Sequence, residues 1–191
     1  MVRDADATRA RLLAAARAEF AAHGIAGARV DRIAAEAGSN KAQIYHYFTN
    51  KEGLFDAVFA GIVEEVLREA PLDPDDLPGY AVKLADGYER HPDILRLVTW
   101  QRLERGDQPP SEAAVAVTKR KVSQIAQTQR EGRVSSRYPA DVLLTAILHT
   151  AAMWASTSPE AASAGKPPSA AARRCYIAQV VTDLISDTPR S

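Results

Sequence analysis

The sequence has a single cysteine, Cys175, among 191 residues, which excludes an internal disulfide framework and suits a reducing cytoplasm. No long apolar run lies near the N-terminus, so we expect no secretory signal. The most apolar stretch, Val142–Ala155, is too short to cross a bilayer, and no membrane association is expected. Gly-rich phosphate loops, spaced Cys/His ligands and nucleophile motifs are missing as well. We therefore expect no catalytic residue, no metal and no cofactor.

Net charge is also absent, because 24 Lys and Arg balance 24 Asp and Glu. The distribution is uneven: residues 1–51 hold eight basic and five acidic side chains, residues 52–112 six and fourteen, and residues 113–191 ten and five. A surface that faces phosphates is therefore expected near the N-terminus, and the acidic middle should face away from DNA. An acidic segment also suits a cationic ligand, but its ordinary meaning is a solvated face.

Helical periodicity dominates the chain, and no convincing alternating strand is found. Apolar residues make up 46% of the sequence, which is enough to bury a core. Gly24, Gly38 and a linker rich in Pro and Asp at residues 71–78 interrupt the pattern. The predicted fold is all-α, with about nine helices at Asp4–His23, Val30–Ala37, Lys41–Tyr47, Lys51–Ala70, Leu77–His91, Pro92–Glu104, Ser111–Glu131, Pro139–Ser156 and Ser169–Ser186. Gly106–Pro110 and Ser158–Pro168 are predicted loops.

Residues 29–48, RVDRIAAEAGSNKAQIYHYF, predict two short helices joined by a tight turn at Gly38. Asn40 is a plausible N-cap of the second helix, in which Ile44 and Phe48 face inward. A helix-turn-helix needs this layout, because its second helix must present polar side chains to the major groove. On an isolated helix those polar residues would be taken for solvated surface, but within this motif we favour contact with bases or phosphates.

Residues 8–57 resemble the DNA-binding domain of the tetracycline-repressor (TetR) family. Four elements match in order and spacing: TRARLLAAARAEFAAHG, VDRIAAEAG, IYHYF and NKEGLF. A lone helix-turn-helix pattern is weak, whereas these four together are strong. The remainder is similar to the family in length and helical build only. The resemblance implies a three-helix DNA-binding domain at residues 1–50, with the helix-turn-helix at about 29–48, and a larger effector-binding and dimerisation domain at residues 51–191.

The resemblance further implies that the helix after the turn enters the major groove, where Lys41 and Ala42 approach base edges. Gln43 is a candidate for base contact, because a side-chain amide pairs bidentately with adenine. Tyr45 and Tyr47 are two positions apart and cannot face the same way, and we expect Tyr45 to face DNA. The predicted contacts to phosphate or sugar are Arg29, Ser39, Tyr45, His46, Tyr47 and Lys51.

Three positions depart from the family's usual pattern. Arg29 stands where a threonine usually caps the helix, so the cap is lost and a cation is gained. Ser39 and Asn40 replace Val-Ser, which removes a buried valine from the turn. Ala42 replaces a frequent glycine, and its methyl group suits contact with a thymine methyl. These changes leave the fold prediction intact, but the operator sequence cannot be inferred from the family.

The C-terminal part offers aromatic, methionine and histidine side chains that are, taken singly, ordinary core residues. The family resemblance implies an apolar effector pocket there, for which the candidates are Tyr88, Trp100, His149, Met153 and Trp154. Val142–Ala155 is apolar nearly all round, and the last helix carries another broad apolar stripe. A two-fold homodimer resembling the family's four-helix interface would cover both helices. Its predicted interface residues are Leu144, Leu148, Tyr176, Val180, Val181 and Leu184.

The sequence thus favours a transcriptional regulator that binds a near-palindromic double-stranded operator as a homodimer. The preferred hypothesis is a repressor released by a small apolar, drug-like ligand, with the helix at Lys51–Ala70 connecting the two parts. The alternative is a DNA-binding regulator without a small-molecule effector, or an activator. Family resemblance alone suggests a multidrug efflux gene as the regulated target.

Overall fold

The computed structural model describes residues 2–108, 112–156 and 159–186, without the side chains of 2–4, 113, 159 and 161. Four residues at the edges of predicted loops and of one predicted helix lie outside the described residues: Pro109, Pro110, Ser111 and Ser158. The described ranges contain helices and no strand, as predicted. Their helices are α1 Val2–Gly27, α2 Val30–Glu36, α3 Lys41–Phe48, α4 Lys51–Glu69, α5 Leu77–Arg90, α6 Pro92–Arg105, α7 Glu112–Arg130, α8 Ala140–Ala152, α9 Pro159–Ser163 and α10 Ala170–Ile185.

The chain folds as two compact units. Unit 1 comprises Met1–Glu65 with Pro92–Gln108, and unit 2 comprises Val66–His91 with Pro109–Ser191. Helix α6 therefore belongs to the unit that holds the N-terminal helices, although it lies beyond residue 50 in the sequence. Helix α4 begins in unit 1, and its last turn belongs to unit 2.

In unit 1, α1, α2, α3, α4 and α6 enclose an apolar core. Phe20 and Phe55 are fully buried and meet edge to face, with 5.2 Å between ring centroids. The other fully buried side chains of this core are Leu12, Ala16, Ile33, Ile44, Leu54 and Leu97. The two short helices α2 and α3 are thus held by burial of one face each, since helices of seven and eight residues are marginal alone.

In unit 1, Gly24 interrupts α1 with φ +72° and ψ −177°, so the regular helix ends at His23, where the sequence predicts it to stop. A Cβ at Gly24 would lie 2.9 Å from the Trp100 ring and still closer to the Glu104 carboxylate. Only glycine combines this backbone conformation with such a close approach. The kink redirects the chain into α2.

In unit 2, α5, α7, α8 and α10 surround a second apolar core. Helix α10 packs on α5 and on α8, and its C-terminal end is joined to residue 135 by a hydrogen bond of 3.0 Å from the Ser135 N–H to the Ile185 carbonyl. The fully buried side chains of this core include Tyr80, Leu84, Ile125, Leu143, Ile147, Ile177 and Val181. The hydrophobic effect, acting on these apolar faces, holds the four helices together.

In unit 2, one helix ends several residues earlier than predicted, and one short helix was not predicted. Helix α8 ends at Ala152 rather than at Ser156, because the Met153 N–H bonds to the Thr150 carbonyl at 3.3 Å and the last residues continue as turns. The short helix α9 lies within a predicted loop, where Pro159 occupies its first position and supplies the φ value that a helix start needs. No helix among the described residues is long and apolar enough to span a membrane.

Candidate DNA-binding surface

Helices α2 and α3 meet through the turn at Gly38, whose φ of +58° suits a residue without Cβ. One face of each helix is buried, through Ile33 in α2 and through Ile44 and Phe48 in α3. The Asn40 side chain accepts a hydrogen bond of 3.0 Å from the Gln43 N–H, so the predicted N-cap is confirmed. The pair forms a helix-turn-helix with the opposite face of α3 left to solvent.

The start of α2 is held by a carboxylate from α1. Arg29, at the N-cap position, makes no side-chain cap, as its chemistry predicts. Glu19 instead accepts the Arg29 backbone N–H at 2.9 Å and the Arg32 guanidinium at 2.8 and 2.5 Å. Glu19 was not among the predicted site residues, although it is the single acidic residue between positions 7 and 30. Burial alone would raise the pKa of Glu19, but the bonds from Arg32 and Arg29 lower it below its usual value.

This lowered pKa leads to a testable pH dependence. A carboxyl group whose folded-state pKa is depressed stabilises the fold above its ordinary value of 4.5, and the contribution is lost as the pH falls through the folded-state value. We expect Glu19→Gln to have a lower Tm than the parent chain at pH 7. The difference should narrow below pH 4.5, as thermal unfolding at pH 7 and at decreasing acid pH would show. Glu36→Gln, an exposed change on α2, is the control, and an equal pH response of the two variants would refute this role.

The exposed face of α3 carries Lys41, Ala42, Gln43, Tyr45 and His46. Tyr45 retains 48% of its accessible surface. Lys41 forms an ion pair of 2.6 Å with Asp31 of α2, and its hydrogen bond lowers the pKa of Asp31. These side chains project from a helix whose backbone is fixed by its buried face, which is the arrangement that groove reading requires.

Two other predicted contact residues are turned toward α1 and its continuation. The Tyr47 hydroxyl donates to the Ala5 carbonyl at 3.3 Å and is half-buried. The Lys51 ammonium donates to the carbonyls of Ala26 and Ala28 at 3.2 and 3.4 Å. The bond from Tyr47 joins α3 to α1, and the two bonds from Lys51 join the start of α4 to the chain that leads from α1 into α2. Of the two tyrosines, Tyr45 is the more exposed.

Helix α6 braces the segment that leads into α2. The Glu104 carboxylate accepts the N–H groups of Ile25 and Ala26 at 3.2 and 2.7 Å, directly after the kink at Gly24. The Trp100 ring lies against Gly24, and its indole N–H donates to the Ala21 carbonyl at 3.4 Å. Trp100, a predicted effector residue, is therefore placed in unit 1 against α1. The bracing residues lie more than 70 positions from their partners, and no local pattern in the sequence signals them.

The other four candidates for effector binding lie in unit 2. Tyr88 and Trp154 are half-buried and pack against its apolar core, and the Trp154 indole nitrogen is buried without a hydrogen-bond partner among the described residues. His149 and Met153 are exposed, and a ring nitrogen of His149 lies 2.8 Å from the Thr145 carbonyl oxygen. The structure thus brings two of the five candidates to the core of unit 2 and leaves two at its surface.

The predicted interface residues fall into three groups in unit 2. Leu144 and Val181 are buried within the core of their own chain, which accounts for their apolar character without a partner. Leu148 and Leu184 are half-buried. Tyr176 and Val180 of α10 keep 54% and 39% of their surface exposed, and Val142 of α8, which was not predicted, keeps 48%.

Two family models and a known relative match this chain. Residues 12–58 match the family model for bacterial regulatory proteins of the tetR family, and residues 76–182 match the tetracyclin repressor-like C-terminal domain. The HTH-type transcriptional repressor SCO4008 of Streptomyces coelicolor is 42% identical over 160 residues, 83% of this chain and 83% of that protein. The chain belongs to the TetR family.

Solved structures of transcriptional regulators share the fold. The transcriptional regulator SCO4942 from Streptomyces coelicolor aligns with a TM-score of 0.83 at 39% identity, over 93% of this chain and 97% of that one. The transcriptional regulator FadR from Bacillus subtilis, solved in complex with stearoyl-CoA, aligns with a TM-score of 0.65 at 14% identity, over 94% and 98% of the two chains. The second likeness concerns the fold alone.

Membership of the TetR family confirms the predicted all-α fold, with an N-terminal helix-turn-helix domain followed by a helical C-terminal domain. TetR-family proteins are DNA-binding transcriptional regulators and not enzymes, as predicted from the sequence. The chain is therefore a transcriptional regulator of that family, and its relative SCO4008 is named as a repressor.

Proposed function

We propose that this TetR-family regulator is a repressor that binds a near-palindromic operator as a homodimer and leaves it when a small apolar ligand enters its C-terminal domain. The observation that carries the DNA-binding part is the exposed polar face of α3, on a helix anchored through Ile44 and Phe48. A major groove admits one α-helix, and a two-fold dimer presents two such helices to successive grooves.

In this proposal the recognition surface has two parts. Lys41, Ala42 and Gln43, in the first turn of α3, read base edges. The ion pair between Lys41 and Asp31 is exposed and is exchanged for a DNA contact at little cost, because exposed ion pairs contribute little free energy. The residues proposed to contact phosphates or sugars are Arg29, Ser39, Tyr45, His46, Tyr47 and Lys51.

Lys51 gives a prediction for binding that does not depend on sequence. Lys51→Ala should weaken binding to every duplex, both by removing a cation next to the phosphates and by releasing the Ala26 and Ala28 carbonyls. The slope of log K against log salt should fall by about one, as for a single lost phosphate contact. Fluorescence anisotropy with operator and random duplexes at several salt concentrations measures both effects. Lys51→Arg should retain the slope, and an unchanged slope in the alanine variant would contradict the phosphate role.

The homodimer is supported by the apolar surface that α8 and α10 leave exposed. Val142, Tyr176 and Val180 carry this surface, and large apolar side chains exposed together mark interaction sites. A two-fold axis would bring the same two helices of each protomer into one four-helix interface. Leu144 and Val181, on the same two helices, are buried within their own chain.

The proposal that a small ligand binds is supported by a groove and by aromatic side chains in unit 2. A groove of about 580 Å³ lies between α7 and the start of α8, lined mainly by apolar atoms and including Val115, Val122 and Asp141. Its volume falls within the range of about 300–1,000 Å³ typical of sites for drug-sized ligands. Tyr88 and Trp154 add half-buried aromatic surface against the core of the same unit. FadR, which shares the fold, is a regulator solved with a small-molecule ligand, stearoyl-CoA.

The acidic side chains of residues 52–112 would suit a cationic ligand, but several of them already form ion pairs with arginines. In unit 1, Arg17 pairs with Glu65 and Asp93, and in unit 2, Arg90 pairs with Glu69. These ion pairs favour a structural role for the acidic segment over a cation-binding one.

Two experiments test the proposal. Selection of bound duplexes from a random pool should return a near-palindrome, and failure to enrich any sequence would refute specific DNA binding. A titration of the operator complex with candidate ligands should then release DNA in proportion to occupancy of the protein. If ligands that bind the purified protein never weaken operator binding, the alternative of a regulator without a small-molecule effector, or of an activator, is favoured instead.

A further inference from the structure

Lys121, in the middle of α7, lies against a buried tyrosine inside unit 2. Its ammonium donates to the Tyr80 hydroxyl at 2.8 Å and lies 5.3 Å from the centroid of the Tyr80 ring. Tyr80 has no exposed surface, and Lys121 is half-buried. Burial lowers the pKa of Lys121 and raises the pKa of Tyr80, as expected for polar groups withdrawn from water.

This pair offers hydrogen-bond donors without acceptors. An ammonium group carries three N–H donors, and Tyr80 accepts one of them through its oxygen. In the part of the chain that the structure describes, the Tyr80 O–H has no acceptor and no carboxylate pairs with Lys121. Two N–H groups of Lys121 and the O–H of Tyr80 are therefore left without a matching acceptor among the described residues, and donors withdrawn from water without acceptors cost free energy.

Two acidic side chains of α5 in unit 2 are matched by arginines of α10. Asp86 pairs with Arg174 at 2.7 Å, and Glu89 pairs with Arg173 at 2.8 Å. Lys121 is half-buried and has no carboxylate partner among the described residues, so replacing it with an apolar residue of similar length should not destabilise the fold. Its ammonium is therefore available to a ligand of opposite charge.

We infer that Lys121 and Tyr80 together bind an acidic group, such as a carboxylate, of the effector. The inference rests on the proposed ligand-gated function and assigns its ligand class, a small apolar molecule with one acidic substituent. Thr118 and Val122, next to Lys121 along α7, line the apolar groove and provide a surface for the rest of the molecule. The effector inferred from this site is therefore acidic, whereas the excess of acidic residues in the sequence would favour a cationic effector.

The test compares matched acids and amides on the full-length protein. Benzoate, 2-naphthoate and anthracene-9-carboxylate are titrated by calorimetry beside their primary amides, which share their shape and lack their charge. We expect at least one acid to bind about tenfold or more tightly than its amide, since a charge-assisted hydrogen bond contributes roughly that factor in Kd. Lys121→Met should abolish this preference, and Tyr80→Phe should reduce it. Lys83→Met, which removes an exposed lysine of α5 that does not line the groove, should leave it unchanged.

Thermal unfolding separates a ligand-binding role from a structural one. Lys121→Met should unfold at the same or a higher temperature than the parent chain, whereas a structural lysine would lower the Tm on replacement. No preference for any acid over its amide, or a preference that survives in Lys121→Met, overturns the inference. Operator release is measured separately. Acids that bind through Lys121 without releasing DNA would refute the proposed gating function but would still support the binding site at Lys121 and Tyr80.

Discussion

A variant that carries both Lys41→Ala and Gln43→Ala is expected to bind its selected operator about a hundredfold or more weakly, because each good contact to a base edge contributes about 1–3 kcal/mol. Both residues lie in the first turn of α3 with their side chains exposed, while the helix itself is anchored by its buried face. Binding to random duplex should fall much less, by the contribution of one lost cation.

The measurement is competitive binding of operator and random duplexes at fixed salt, repeated with each single variant. Gln43→Ala should alter the preferred bases at one position of each half-site, since an amide pairs with adenine. Lys83→Ala with Gln124→Ala, which removes an exposed lysine and an exposed glutamine from unit 2, is the matched control and should bind as the parent does. A double variant of α3 that keeps the operator preference would show that another element reads the DNA.

Replacing Arg17 with methionine is expected to lower the free energy of unfolding by about 2 kcal/mol, below the range for a fully buried ion pair because partial exposure weakens the charges. The Arg17 guanidinium joins three helices of unit 1, bonding Glu65 of α4 at 2.6 Å and Asp93 of α6. The three side chains retain only 16–29% of their surface. Burial would lower the pKa of Arg17, but the bonds to Asp93 and Glu65 raise it above its usual value.

A loss of about 2 kcal/mol corresponds to a fall in Tm of about 4–8 °C for a chain of this size. Thermal unfolding followed by circular dichroism would measure it. Adding Asp93→Asn to Arg17→Met should recover part of the loss, because the variant then no longer holds two carboxylates without their shared cation. Arg102→Met, an exposed change on α6, should have little effect. An Arg17→Met variant as stable as the parent would show that this ion pair network contributes nothing to the fold.

The helix-turn-helix was predictable because its determinants are local. Gly38, the Asn40 cap and the inward-facing Ile44 and Phe48 lie within eleven residues of one another, and each acts on its own helix or turn. Most helix boundaries also follow from local signals and agree with the structure within a few residues. Helix α8 was predicted too long because its apolar composition continues past Ala152, although the backbone there turns.

The candidate effector residues were harder to predict, because composition does not say which core a side chain joins. Trp100 was assigned to the effector site, yet it packs against Gly24 in unit 1, since α6 folds with the N-terminal helices. Tyr80 and Lys121 were not chosen at all. Their relevance comes from a contact between residues 41 positions apart, which no periodicity indicates.

By itself, the sequence determined the helical class, the helix-turn-helix and the family, because these depend on short-range periodicity, caps and turn residues read in order along the chain. Only the tertiary structure decided that α6 braces the entry to α2 through Glu104, that Glu19 replaces a missing cap, and that a lysine and a tyrosine share a site in unit 2. Each of these depends on partners brought together by burial of apolar faces, and burial specifies which helices meet without marking their polar contacts in the sequence.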